Sequence, residues 1–219
     1  AVMKITNFEA LIDERTMKKK TMIVLISAFL LLSAFSCGGG NKANSTSEQS
    51  EETAVNVPQF DADSAYLYVK NQVDFGPRVP NTKEHVACGN YLAGQLEAFG
   101  AQVTNQYADL IAYDGTLLKA RNIIGSYKPE SKKRIALFAH WDTRPWADND
   151  PDEKNHNTPI LGANDGASGV GALLEIARLV NQQQPELGID IILLDAEDYG
   201  APQCYTGQHK EEFWCLGSQ

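Results

Sequence analysis

The sequence predicts an α/β domain on a mixed, mainly parallel central sheet. Three observations lead there. Two apolar runs, 135–139 and 189–194, flank a segment with helical periodicity over 167–183. Strand, crossover helix and strand make a βαβ unit, whose strands are expected to run parallel. Upstream, 102–112 and 117–127 are β-prone runs around Tyr113-Asp114-Gly115, and Asp-Gly between such runs signals a hairpin. At 219 residues the chain can hold one sizeable domain of this class.

The first part of the chain reads as an address. Met17-Lys18-Lys19-Lys20 is a basic start, and 22–32 is apolar but shorter than a membrane span of ~20 residues. Residues 1–16 precede that start and read as an upstream extension. Ser33-Ala34-Phe35-Ser36-Cys37 resembles a bacterial lipoprotein cleavage box, which implies lipidation at Cys37. An ordinary secretory cleavage near Cys37 is the alternative. Residues 38–56 are mostly Gly, Ser, Thr, Asn and Glu with hardly an apolar group, so they cannot bury enough surface to fold and read as a tether. The folded part, 57–219, is then expected in the bacterial cell envelope, held to the membrane by a lipid anchor and facing the periplasm or the surface.

Within that part, Asp61-Ala62-Asp63-Ser64 can cap a helix over about 64–74, with Ala65, Tyr66, Val69 and Val73 as its apolar stripe. Residues 75–82 carry turn chemistry, including Gly76-Pro77-Arg78. A second helix is expected over about 83–99, burying Cys88, Leu92, Leu96 and Phe99, with Gly100 as its stop. The hairpin follows. The run 135–139 is continuously apolar, as expected for a strand covered on both faces. The helix over 167–183 buries Val170, Leu173, Leu174, Ala177 and Val180, and Pro185 and Gly188 end it.

Net charge is -9, so the surface repels phosphate backbones and nucleic acid is not an expected partner. The 4 cysteines contain no Cys-x-x-Cys pair, which argues against a thiolate metal site. Cys204 and Cys215 are close enough in sequence to be bridged, and the pairing stays open. The acidic run 148–153 reads as a solvated loop.

Chemistry gathers where the apolar strands stop. His140 and Asp142 follow one strand; Glu197 and Asp198 follow the other; Asp165 precedes the connecting helix. Ligands of open α/β sheets bind at the carboxyl ends of the strands, so all five can meet on one rim. Zinc accepts imidazole nitrogen and carboxylate oxygen, and two adjacent acids can divide metal binding from proton transfer. Taken singly, Asp165 reads equally as a helix cap, Glu197-Asp198 as a solvated strand end and His140 as a buried structural histidine. Their joint order argues for a metal-dependent site.

His140-Trp141-Asp142, the run Gly162-Ala163-Asn164-Asp165-Gly166-Ala167-Ser168-Gly169, and Asp195-Ala196-Glu197-Asp198 together resemble the zinc aminopeptidases of family M28 and their relatives, the glutaminyl cyclases. Gly76-Pro77-Arg78 fits the same pattern. The resemblance implies a three-layer α/β/α fold, zinc-exopeptidase-like and incomplete at the C-terminus. The long segment after Asp198, with Tyr205, Phe213 and Trp214 able to wall a small apolar pocket, resembles the bacterial, animal-type cyclases.

That resemblance implies a single zinc on Asp165 and Asp198, with Glu197 moving the proton and His140 and Asp142 behind the ligands. Substrates would be peptides or proteins with an N-terminal glutamine. Most members carry Glu where this chain has Asp198, and a shorter carboxylate asks the backbone to come closer. The family's third zinc ligand, a histidine from a later loop, has no match here; His156 and His209 do not occupy that position. An M28 aminopeptidase and a non-catalytic envelope lipoprotein on the same scaffold are the alternatives.

Overall fold

The structure, a computed structural model, describes residues 56–219. The expected leader, Cys37 and all of the tether but its last residue lie outside the described residues. Among the described residues no helix is long and apolar enough to cross a membrane.

Helix α1 spans Ala62–Asp74 and is capped by Asp61, whose side chain accepts the N–H groups of Asp63 and Ser64. Its inward residues are Tyr68 and Gln72. Tyr66, expected on the apolar stripe, is instead 72% exposed. The helix turns its Tyr68 side inward, where that ring meets Phe99 edge-on with centroids 5.9 Å apart. Helix α2, Lys83–Ala98, starts at Thr82 and buries Cys88, Leu92 and Leu96 as expected, together with His85.

The expected hairpin forms: β1 (Gln102–Ile111) pairs antiparallel with β2 (Leu117–Tyr127). Strand β3 is Arg134–His140, helix α3 is Ala167–Gln182, and β4 is Gly188–Leu194. The strands β3 and β4 pair in parallel, which completes the βαβ unit. The sheet order is β1-β2-β4-β3 and β2 pairs antiparallel with β4, so the sheet is mixed. Its parallel part, among the described residues, is the β3–β4 pair.

Helices α2 and α3 pack on one face of this sheet, and α1 packs against α3. Leu92, Leu96, Val170, Leu174 and Ala177 from the helices form one buried cluster with Ile123, Ile189, Ile191 and Leu193 from the strands. The opposite face differs from the expectation of a strand covered on both sides. Phe138, aligned with Ile192, is 59% exposed. A continuous apolar run marks a face to be covered without saying which segment covers it, and no described helix packs there. Helix α3 is held to α1 by the amide of Gln72, which donates to the Ala167 carbonyl at 3.1 Å. These contacts fix the start of α3, and with it one wall of the strand-end rim.

Candidate active site

The five sequence-predicted residues meet at the carboxyl ends of β3 and β4. Asp142 is fully buried and organises the rim. Its two carboxylate oxygens accept the backbone N–H groups of Glu197 and Asp198, each at 3.1 Å. The loop after β4 is thereby tied to the loop after β3, and two carboxylates are presented side by side. His140 Nε2 lies 3.0 Å from Asp165 Oδ1. His140 Nδ1 lies 3.6 Å from Asp142 and 3.8 Å from Glu197, without a hydrogen-bond partner.

Two glycines permit this approach. Gly166 has φ +87 at the start of α3, and a Cβ there would stand 2.9 Å from the Asp142 carbonyl oxygen and 3.3 Å from the His140 ring. Gly162 has φ +56, and a Cβ there would stand 2.4 Å from the Thr143 methyl. A side chain at either position would collide with the loop that follows β3.

The electrostatics are those of a crowded anionic pocket. Burial pulls the His140 imidazole down, but Asp142, Glu197 and Asp165 around it prevail and lift it to about 9. Burial pushes the Asp198 carboxyl up to about 7, and the negative charges of Asp142, Asp165 and Glu197 add to that against the opposing Arg144. Asp198 Oδ2 is buried without a hydrogen-bond partner. A buried carboxylate oxygen left bare beside other carboxylates suits a cation. Asp165, 63% exposed at its side chain, keeps an outward carboxylate.

Imidazole nitrogen and carboxylate oxygen are donor types that zinc accepts, so the chemistry of this set suits that ion. Among the described residues no group of three or more His, Cys, Asp and Glu side chains is arranged to hold a metal. His156 and His209 are engaged elsewhere, with their Nε2 atoms on the carbonyls of Asp150 at 2.8 Å and Tyr205 at 3.2 Å.

Several residues that frame the site escaped the sequence reading. Arg78 is fully buried, and its guanidinium donates to the carbonyls of Trp141 at 3.2 Å, Leu161 at 2.6 Å and Gly162 at 2.9 Å. Gly76-Pro77-Arg78 reads as turn chemistry that fits the family pattern, which does not reveal the buried guanidinium. Arg144 donates to both oxygens of Asp148, at 2.8 and 2.6 Å, and lies 3.7 Å from Asp198. Asp148 is thus not part of a solvated loop: it is 5% exposed, because the Arg144 pair carries its charge inward.

The segment after Asp198 builds an aromatic wall. Tyr205 and Phe213 gather around Tyr113, with ring centroids 5.0 and 6.1 Å away, and Trp146 meets Tyr113 edge-on at 5.9 Å. A cavity of about 490 Å³ opens beside them, lined by Tyr113, Trp146, Pro202 and Cys204 among others. Trp214 stacks on Arg144, whose guanidinium carbon is 4.8 Å from the ring centre. Cys88, Cys204 and Cys215 are free thiols, and Cys215 donates to Glu197 Oε1 at 3.3 Å.

Residues 122–219 match the model of peptidase family M28. The chain is 94% identical to a solved glutaminyl cyclase of Bacteroides thetaiotaomicron bound to N-acetylhistamine, over 74% of this chain and 56% of that one, with a TM-score of 0.74. A solved structure described as a leucine aminopeptidase precursor of the same organism matches with the same identity, coverage and score. A Tannerella forsythia glutaminyl cyclase is 57% identical over 73% of this chain and 55% of its own, with a TM-score of 0.71. The chain thus resembles bacterial glutaminyl cyclases in sequence and in fold, and spans a little over half the length of these solved chains.

Proposed function

We propose that this chain carries the proton-transfer residue and part of the zinc site of a glutaminyl-peptide cyclotransferase. The enzyme converts an N-terminal glutamine into pyroglutamate and releases ammonia. The observation that carries the reading is the Asp142 clamp, which sets Glu197 and Asp198 side by side, with a bare buried oxygen on Asp198. The similarity to solved cyclases and the aromatic wall after Asp198 favour cyclisation over peptide hydrolysis.

Substrates are peptides and proteins with an N-terminal glutamine. The aromatic wall around Tyr113 offers an apolar flank for the peptide and limits water, which would otherwise compete with the amine. The α-amine attacks the side-chain amide carbon, closing a five-membered lactam. Glu197 takes a proton from that amine and delivers it to the leaving nitrogen as the amide C–N bond breaks. Glu197 is suited to this: its backbone N–H is held by Asp142, its carboxylate accepts a hydrogen bond from the Cys215 thiol at 3.3 Å, and its side chain is 35% exposed. Asp165 and Asp198 are the residues of this chain that would hold zinc, with His140 and Asp142 orienting them. Bound zinc would polarise the amide carbonyl as a Lewis acid. Both reacting groups belong to one residue, so holding the folded conformer supplies much of the rate.

The test is incubation of the complete zinc-loaded protein with a Gln-initiated peptide, followed by mass spectrometry. Loss of one ammonia supports the cyclase. Free glutamine with a shortened peptide supports the M28 aminopeptidase reading, and an unchanged peptide overturns both in favour of a non-catalytic lipoprotein.

The address follows the same proposal. Lipidation of Cys37 would anchor the domain in the bacterial envelope through the 38–56 tether. Metabolic labelling with a fatty-acid analogue should mark the wild type and leave Cys37→Ser unlabelled; equal labelling of both would end that reading.

A further inference from the structure

Nothing in the chemistry above uses His85, yet its ring touches both loops of the site. His85 lies in the first turn of α2, where its N–H donates to the Thr82 hydroxyl at 3.2 Å, and it is 3% exposed. Nε2 lies 2.9 and 2.8 Å from the two oxygens of Asp195. Both oxygens already accept a backbone N–H, from Ala196 and Arg121, so the Asp195 carboxyl acts as acceptor and Nε2 as donor. The same ring stacks on Trp141, with centroids 4.3 Å apart and planes 18° from parallel. Trp141 sits between His140 and Asp142 and is itself fixed, with its indole N–H on the Arg121 carbonyl at 3.2 Å. Asp195 stands two residues before Glu197.

Between Asp195 and Glu197, Ala196 adopts φ 52, a left-handed backbone that a residue with a Cβ resists. Asp195 holds that turn. Its carboxylate accepts the N–H groups of Ala196 at 2.8 Å and Arg121 at 2.7 Å, while its own N–H donates to Asn122 at 2.9 Å. The rotation of the Asp195 carboxylate therefore sets where the chain leaves the turn, and so where the Glu197 side chain starts.

We infer that His85 is a positioning residue for the cyclisation. Through Asp195 it fixes the turn that aims Glu197, and through Trp141 it fixes the loop that carries His140 and Asp142. The inference rests on the cyclase reading above. The two loops come from different strands, and the Asp142 clamp joins them at the rim. His85 joins them a second time, underneath. Two ties resist a rotation that one tie permits.

The test compares the full zinc-loaded chain with its His85→Phe and His85→Gln variants. His85→Phe keeps the stack on Trp141 and removes the donor. His85→Gln keeps an N–H within reach of Asp195. His85→Phe should lose about 10²-fold in kcat, the penalty of a misaimed group, with KM within about three-fold and bound zinc retained. His85→Gln should return kcat to within about ten-fold of wild type. Wild-type kcat in His85→Phe, or equal loss in both variants, overturns the inference. Should His85→Phe not fold, His85→Gln decides: loss beyond about ten-fold with zinc retained overturns it, and a smaller loss supports it. A wild type that leaves Gln-initiated peptide uncyclised overturns the cyclase reading itself, and the inference with it.

Discussion

The Asp142 carboxylate accepts the backbone N–H of Glu197 at 3.1 Å across 55 residues of sequence. The second oxygen does the same for Asp198. Asp142→Ala would leave two amides in the rim without their acceptor, at a cost of about 1–3 kcal/mol each where water cannot reach. Thermal unfolding should show that loss. Cyclisation should fall at least about 10²-fold, because Glu197 is no longer aimed. An Asp142→Ala variant that keeps both melting temperature and rate would refute the clamp.

Glu197→Gln removes the proton acceptor and changes neither the backbone clamp nor Asp198. Cyclisation should drop by about 10²–10⁴-fold, the usual contribution of general acid–base catalysis. Zinc content, read by atomic emission, should stay at the wild-type level. A Glu197→Gln protein with full activity would remove the proposed role.

The two perturbed groups set a pH dependence for the metal-free protein. The His140 imidazole, at about 9 when folded against 6.5 ordinarily, favours folding fully below 6.5 and loses that contribution as pH rises through 9. The Asp198 carboxyl, at about 7 against 3.8, keeps a proton that the unfolded chain releases, so its effect also turns unfavourable as pH rises from 3.8 to 7. Both act in one direction. The melting temperature of metal-free protein should be lower at about pH 9 than at about pH 6. If zinc binds Asp198 as proposed, it would compete with that proton, and its apparent affinity should rise up to about pH 7. A melting temperature that climbs across this range would contradict the crowded-carboxylate account.

Arg78 serves three carbonyls from a fully buried position. Arg78→Met preserves much of the volume and removes every donor. The loss should reach about 3 kcal/mol, since each orphaned buried carbonyl costs on the order of 1 kcal/mol or more. Urea unfolding measures it directly. A change below about 0.5 kcal/mol would mean that water replaces the guanidinium at no cost.

The rim was legible in the sequence because strand ends, carboxylates and glycines follow one another in a fixed order. His140, Asp142, Asp165, Glu197 and Asp198 each sit next to a periodic segment whose type is readable. His85 was not legible: a histidine three residues into a helix says nothing of an aspartate 110 residues away. Asp148 misled for a related reason. Amid acidic neighbours it looks solvated, and only the fold brings Arg144 onto both its oxygens. Tyr66 misled because α1 has two candidate apolar sides, and Tyr68 rather than Tyr66 finds an aromatic neighbour across the interface.

The exposed Phe138 side of the sheet bears on how the chain behaves in a tube. Strand β3 is the last in the order β1-β2-β4-β3, so its outer backbone groups have no neighbouring strand among the described residues. An unpaired edge beside an apolar surface is a template for strand addition from another molecule. The net charge of -9 opposes that encounter at low ionic strength, and salt screens it. Colloidal lifetime should therefore shorten as protein and salt concentrations rise together, and a lysine in place of Phe138 should lengthen it without touching the rim.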